Sequence, residues 1–385
     1  MIKLKGNRMS KSLDTYVTLG RSGLRVSPLA LGTMTFGTEW GWGSDEQVAR
    51  AVFDSYINAG GNFIDTANVY TEGHSEELLG KFISDSGLRQ RLVLATKFTF
   101  NPDPGDPNAG GNGRKNIYRA VEDSLRRLNT DYIDLYWLHA WDTVTPVEEV
   151  VSTLNSLVQS GKIRHYGFSD TPAWYVARAK TIAEKEGKEG LIALQLEYSL
   201  VERNIEREHV PAAQELGLAI TPWSPLAGGF LTGKYKQKGD TGEGEGRLEI
   251  TKDASNPIFQ RFTPRNWQIL KELVDVAKKI NRPPSQVALN WTATQPGITS
   301  TIIGASKLSQ LEDNLRYAEF EIPADLRKRL DEVSAIETQH PYGFFTPPFQ
   351  GWISGATGLK PWAPARVYEE PARELFGARA AAAAE

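Results

Sequence analysis

The sequence predicts an α/β protein built as a single (β/α)8 barrel, the TIM-barrel fold, with an N-terminal β-hairpin and an extended aromatic- and proline-rich C-terminal tail. Three observations predict it. Eight short apolar runs recur along the chain, helical patterns separate them, and the runs are continuously apolar instead of alternating. Continuous apolar strands fit a parallel sheet covered on both faces. Strands alternating with helices give right-handed βαβ units, and eight such units close into a barrel.

The elements follow in order. Residues 14–25 (DTYVTLGRSGLR) read as a hairpin. The strands are expected at 26–32, 62–65, 92–97, 132–139, 163–168, 192–195, 218–223 and 299–303. The first helix, 45–59, repeats apolar residues at Val48, Val52, Phe53 and Tyr56 and stops at Gly60 and Gly61. Similar patterns cover 114–128, 146–159, 172–186, 208–216, 264–280, 285–294, 308–318 and 324–335. Pro146 and Pro172 stand at helix starts, where a missing N–H costs nothing. Residues 235–262, rich in Gly, Lys and Glu, read as a mobile insertion after the seventh strand. One domain is expected over 1–385, with a core at 14–336 and a tail at 337–385. The stretch 340–364 is loaded with Pro, Gly and aromatics, and the Ala-rich run 378–385 reads as frayed helix or an appended segment.

Composition sets limits. The 385 residues are 40% hydrophobic and 24% charged, with a net charge of −3. Such a balance gives no electrostatic reason to bind nucleic acid or an anionic membrane. Cysteine is absent, which excludes disulfides, thiolate nucleophiles and Cys-based metal sites. The five His residues make no metal-ligand spacing, so no metal is expected. The basic start has no apolar stretch behind it and reads as no signal peptide. No apolar run reaches about 18 residues, so a cytoplasmic location is the default expectation.

In a barrel of this kind chemistry sits at the C-terminal ends of the strands. The second strand ends at Asp65, the third at Lys97 and the fourth at His139. A lysine ending an apolar strand needs a partner, and Asp65 on the neighbouring strand can supply it. That pair alone could be a plain buried ion pair, and a lone His is more often a hydrogen-bonded core residue. Tyr70 adds the functional reading. A phenol has an ordinary pKa of about 10. A neighbouring ammonium stabilises the phenolate, which is expected to lower that value and give a usable general acid. Hydride addition to a carbonyl creates an alkoxide that needs both a proton and oxyanion stabilisation. Tyr70 would give the proton, Lys97 would tune it, Asp65 would hold Lys97, and His139 would orient the carbonyl oxygen.

Asp65-Thr66-Ala67-x-x-Tyr70, Lys97 on the next strand and His139 in a YWLH strand end resemble the catalytic tetrad of the aldo-keto reductases. So do Leu29-Ala30-Leu31-Gly32-Thr33-Met34, Ile163-Arg164-x-x-Gly167-x-Ser169, Gln195-x-Glu197-Tyr198-Ser199, Trp223-Ser224-Pro225-Leu226-Ala227-Gly228-Gly229 and Ile303-Gly304-Ala305-Ser306, in family order. The resemblance covers nearly the whole chain and lies closest to the bacterial branch that is also similar to the potassium-channel β subunits.

No G-x-G-x-x-G follows a strand, and the GEGEG stretch 242–246 reads as flexible linker rather than phosphate cradle. Barrels bind phosphate with the loops after strands seven and eight and a helix start there. Gly304, Ala305, Ser306 and Lys307 occupy that place, so a 2′-phosphate site is one reading and an ordinary helix cap with Ser306 as N-cap the other. The resemblance favours the phosphate and NADP(H). It also implies that Ser169 and Gln195 hold the nicotinamide carboxamide, that Trp223 stacks on the ring, and that Gln310, Asp313 and Asn314 meet the adenosine end. Gly32, Thr33, Met34, Asp65, Ser224, Pro225, Leu226, Gly228, Lys234 and Ile303 complete the implied cofactor set. One residue departs from the family: Asp170 stands where Asn is usual, and an ionised Asp accepts hydrogen bonds but cannot donate.

Phe36, Trp40 and Trp42 follow the first strand and Trp141 follows His139, so these four are expected as substrate-pocket walls. An aromatic, apolar pocket suits bulky or cyclic carbonyl compounds, including sugars and polyketide or terpenoid ketones. The tail aromatics, among them Tyr342, Phe344, Phe345, Phe349, Trp352 and Trp362, either cover the barrel mouth or pack outside it as an arm or subunit contact. The expected partner is a small carbonyl or alcohol, with the chain a monomer or homo-oligomer. The main reading is an NADPH-dependent carbonyl reductase. A second is a slow cofactor-sensing subunit similar to the channel β subunits. A third, an unrelated barrel lyase or isomerase, leaves Tyr70, Lys97 and Asp65 unexplained.

Overall fold

The computed structural model describes residues 13–239, 241–251 and 260–355. A short antiparallel hairpin opens it, β1 (Val17–Thr18) paired with β2 (Arg25–Val26). Strands and helices then alternate: β3 (Leu29–Gly32), α1 (Glu46–Asn58), β4 (Phe63–Asp65), α2 (His74–Ser86), β5 (Val93–Phe98), α3 (Arg114–Arg127), β6 (Ile133–Leu138) and α4 (Val147–Gln159). They continue as β7 (Ile163–Ser169), α5 (Ala173–Lys185), β8 (Ala193–Gln195), α6 (His209–Leu216) and β9 (Ala219–Ile220). An insertion follows, with the hairpin β10 (Lys236–Lys238) and β11 (Thr241–Glu243) and the turn of helix α7 (Arg247–Thr251). After it come α8 (Pro264–Lys279), α9 (Pro284–Ala293), β12 (Thr301–Ile303), α10 (Leu308–Leu315), α11 (Ala324–Val333) and α12 (Pro347–Ser354).

The parallel sheet runs β12-β3-β4-β5-β6-β7-β8-β9. Its two ends meet through backbone bonds: Thr299 N–H donates to Ile220 O and Ile302 N–H to Pro222 O, both at 2.9 Å. Eight strands ringed by helices thus form the (β/α)8 barrel that the alternation predicts. Along each strand, alternate residues point inward. Ala30, Phe63, Ala95, Trp137 and Ala193 fill the barrel interior with Leu19 and Val26 of the hairpin segment. Two positions further on stand Gly32, Asp65, Lys97, His139 and Gln195. The inward rows are therefore apolar packing until they reach the C-terminal rim, where they turn polar. Gly167 shows how tight the interior is: a Cβ there would lie 2.3 Å from the Trp137 ring.

Three elements differ from expectation. Helix α2 is not among the predicted helices. Its N-cap is Gly73, in the left-handed region (φ 97°), with no side chain of its own to cap the helix; the Thr71 hydroxyl, two residues earlier, accepts from Ser75 N–H instead, so the usual start signal is missing. Gly80 interrupts its pattern, because α3 approaches so closely that a Cβ would meet Arg127 O at 2.5 Å. The insertion is no featureless loop over its described residues, since it folds into β10, β11 and α7 and buries Leu248. Strand seven is shorter than 218–223: regular pairing covers Ala219–Ile220, and beyond it the Thr221 and Trp223 N–H groups still donate to Leu194 O and Leu196 O on either side of Pro222, which has no N–H to donate.

The chain divides into two units, Met1–Ala335 and Ile336–Glu385. Within the second, Phe344 packs on Phe349 at 4.4 Å between ring centres and Phe349 on Trp352 at 5.2 Å. Trp362 and the Ala-rich end lie outside the described residues. No helix among the described residues is long and apolar enough to cross a membrane.

Candidate active site

The rim of strand ends opens on a groove of about 810 Å³. At its floor, Lys97 is fully buried and its Nζ donates to an Asp65 carboxylate oxygen, to Thr66 O at 2.7 Å and to the Tyr70 hydroxyl at 3.1 Å. Asp65 also accepts from Gln195 Nε2 at 2.9 Å. Burial works against the Lys97 charge, but Asp65 and Tyr70 outweigh it and hold the ammonium pKa above its ordinary value. The residues just after Tyr70, Thr71 and Glu72, both take positive φ (47° and 59°). Such backbone strain concentrates where a side chain must be aimed, and Thr71 is anchored by donating to Phe36 O at 2.9 Å.

The electrostatics of Tyr70 differ from the sequence-based expectation. Burial raises its pKa; Lys97 pulls it down, Asp65 pushes it up, and the net result lies above the ordinary phenol value. The ammonium moderates the rise but does not reverse it. His139 packs edge-on against Tyr70, 5.9 Å between ring centres. Burial and then the Lys97 charge push its pKa well below 6.5, so the ring is neutral. Its Nδ1 is buried with no hydrogen-bond partner among the described residues.

The groove wall carries most of the implied cofactor residues: Gly32, Met34, Asp65, Ser169, Asp170, Gln195, Trp223, Ser224, Pro225, Leu226, Gly228, Lys234, Ile303, Gly304, Ser306, Gln310, Asp313 and Asn314. Trp40 and Trp42 line it too, packed at 5.5 Å with Trp40 edge-on to Tyr70 at 6.3 Å. Four expected residues stand elsewhere. Thr33 is fully buried, its hydroxyl donating to Asp65 O. Phe36 is core, 6.2 Å from Phe82. The apolar loop position that suggested a wall turns into the core against α1 and α2. Trp141 packs with Trp174 and Tyr175 instead of lining the groove. Lys307 is exposed at the rim, and it rather than Ser306 is the N-cap of α10, without a side-chain bond.

Sequence reasoning missed Arg247 and Phe100, which also line the groove. Arg247 follows Gly246, whose φ of 134° few other residues adopt, so the GEGEG stretch delivers a cation to the site. The guanidinium sits 4.9 Å over the Trp42 ring. The signal was present: an apolar Leu248 behind the arginine anchors the turn. Phe100 meets His139 at 4.6 Å.

Comparison with known proteins fits this geometry. A protein from Phanerodontia chrysosporium named as an NADP(+) aryl-alcohol dehydrogenase is 32% identical over 84% of this chain and 86% of its own length. Norsolorinic acid reductase of Emericella nidulans is 33% identical over 89% of this chain and 87% of its own. A probable voltage-gated potassium channel subunit beta of Oryza sativa is 35% identical over 85% and 97%. The family model for the aldo/keto reductases matches residues 28–335, and with these relatives it establishes that the chain is a member of the aldo/keto reductase family.

Proposed function

We propose that this protein is an NADPH-dependent reductase of bulky or cyclic aldehydes or ketones, with Tyr70 as general acid. The observation that carries the reading is the Lys97 ammonium, clamped by Asp65 and Thr66 O and presented to the Tyr70 hydroxyl at 3.1 Å at the groove floor. The donor set suits a dinucleotide phosphate. Lys234 and Lys307 stand close enough that, after burial, the second cation lowers the pKa of the first. Lys234 shares the groove with Arg247 and with Ser306 and Gln310 at the start of α10. Cations gathered against their mutual repulsion at a helix start favour an anion there. A bound nicotinamide would supply the hydride.

The chain's own residues would do the rest. His139, neutral and fixed by packing, would direct a ring nitrogen at the carbonyl oxygen; with Nδ1 buried, Nε2 is left for that role. Tyr70 would hold its proton until the oxygen gains negative charge, then release it to that oxygen while Lys97 stabilises the phenolate. Asp65 would keep the ammonium in place. Trp40, Trp42 and Phe100 would wall the substrate with apolar surface. The name of the aryl-alcohol dehydrogenase relative supports a ring-bearing substrate.

The test is a titration with NADPH and NADH by tryptophan fluorescence, then a carbonyl panel followed by loss of dihydronicotinamide absorbance, on wild type and Tyr70→Phe. Tight NADPH binding by both proteins, with turnover lower by about two or more orders of magnitude in the variant, is expected. Normal turnover in Tyr70→Phe would overturn its assignment. Binding without oxidation by any carbonyl would favour a cofactor sensor, and no binding would overturn the cofactor.

A further inference from the structure

The groove holds one acidic side chain near the tetrad that the mechanism does not use. Three aspartates line it: Asp65 is paired with Lys97, and Asp313 accepts from Ser285 and Gln286 at 2.7 Å. Asp170 is the third, at the end of β7. It makes no ion pair among the described residues. Its Oδ1 accepts from Trp223 Nε1 at 3.3 Å, and Ser169 Oγ lies 3.4 Å from Oδ2. Its backbone is pinned between neighbouring strand ends, its N–H donating to Gln195 O at 3.2 Å and its O accepting from Trp141 N–H at 3.4 Å.

A carboxyl crowded by protein and paired directly with no cation favours either a proton or a positive partner. The charged groups acting on it are Glu197, beyond β8, and Lys97, on β5, of opposite sign. Glu197 is itself paired with Arg261, Arg247 also acts on Glu197, and His139, just after β6, is neutral. Burial, opposed by the Trp223 bond, pushes the Asp170 pKa up to about 7. Its side chain also meets the water of the groove, which a bound nicotinamide would displace.

Hydride transfer at Tyr70 requires a nicotinamide ring within reach of the substrate carbon, in the part of the groove that Trp223, Ser169, Gln195 and Asp170 wall. The oxidised ring carries a positive charge and the reduced ring is neutral. We infer that Asp170 is a redox-state-selective cofactor residue: its carboxylate favours the oxidised nicotinamide over the reduced one, and makes the bound reduced form a stronger hydride donor. This rests on the nicotinamide reading above. Two unit charges a few ångströms apart in a partly solvated groove change a binding ratio by about tenfold or more. The sign follows the carboxyl. Above its pKa the anion favours NADP+; once protonated, the selectivity disappears.

The test compares wild type with Asp170→Asn, in dissociation constants for NADP+ and NADPH from tryptophan quenching at about pH 6 and about pH 8.5. Asparagine keeps the acceptor for Trp223 and tolerates the left-handed φ of 42° found here; near-UV circular dichroism checks that the site is intact. Both nucleotides share the 2′-phosphate, so its titration cancels in their ratio. In wild type the preference for NADP+ should grow about tenfold from the lower to the higher pH, and in Asp170→Asn it should be smaller and flat. An unchanged ratio, or equal weakening of both nucleotides, would overturn the inference and leave the carboxyl a structural acceptor. So would a change confined to the KM of amine-bearing substrates, which would make the cation a substrate's. Failure of wild type to bind either nucleotide would instead defeat the nicotinamide reading itself.

Discussion

Replacing Lys97 with methionine keeps an unbranched side chain, one heavy atom shorter, and removes its charge. The wild-type ammonium is fully buried and donates to Asp65, to Thr66 O and to the Tyr70 hydroxyl. Methionine fills nearly the same volume, so packing changes little. The loss falls on Asp65, which keeps only Gln195 Nε2, at 2.9 Å, among its described side-chain donors. Removing one partner of a buried pair costs about 3–5 kcal/mol, against a total of about 5–15 kcal/mol for a typical domain. Adding Asp65→Asn to the same chain removes the stranded charge and should restore most of that stability. Turnover should stay low in both, because the ammonium that donates to the Tyr70 hydroxyl is gone. Urea unfolding of the four proteins, followed by far-ultraviolet circular dichroism, gives the double-mutant cycle. A loss below about 1 kcal/mol, the range of exposed pairs, would refute a desolvated charge pair. A double variant no more stable than Lys97→Met would refute it as well, and normal turnover in Lys97→Met would refute its service to Tyr70.

Two further outcomes concern pH and the cofactor. Burial holds the Tyr70 proton above the ordinary phenol range, so on the proposed mechanism, in which Tyr70 gives that proton, reduction should stay level through neutral pH and fall only beyond about pH 10, while alcohol oxidation, which would use the phenolate, climbs towards the same range. A reduction rate that falls with a midpoint near about pH 8 would contradict this; because His139 stays neutral, no second limb from it is expected above about pH 6. Lys307→Ala should weaken NADPH more than NADH, by about 1 kcal/mol or fivefold, since the ammonium is exposed; equal weakening, measured by the same fluorescence titration, would mean that it does not meet the 2′-phosphate.

The barrel was legible because each strand is a short apolar run with its own helix behind it. The cluster of Asp65, Lys97, Tyr70 and His139 was legible because Asp65, Lys97 and His139 are polar residues ending such runs. What escaped has physical reasons. Helix α2 starts at a glycine N-cap directly after the Tyr70 loop and carries Gly80 at a close helix crossing, so its local signals argue against it. Arg247 sits in a segment whose composition resembles a linker, and only its tertiary position makes it a groove residue. Phe36 shows the reverse error: an aromatic in a catalytic-face loop can still turn into the core. The direction of the Tyr70 shift needed the depth of burial, which spacing between residues does not contain.

The two-residue step along the inward rows works as a reading frame for function. Phe63 sets the frame for Asp65, Ala95 for Lys97, Trp137 for His139, Gly167 for Ser169 and Ala193 for Gln195. A single-residue deletion inside β5 would swap inward and outward faces, sending Lys97 towards the helices and an outward residue to the groove floor. Additions at the loops beyond the rim leave every frame intact. Natural variation in substrate choice is therefore free to accumulate in length as well as identity at segments such as 35–44 and 235–262, whereas the strands admit only substitutions that preserve phase.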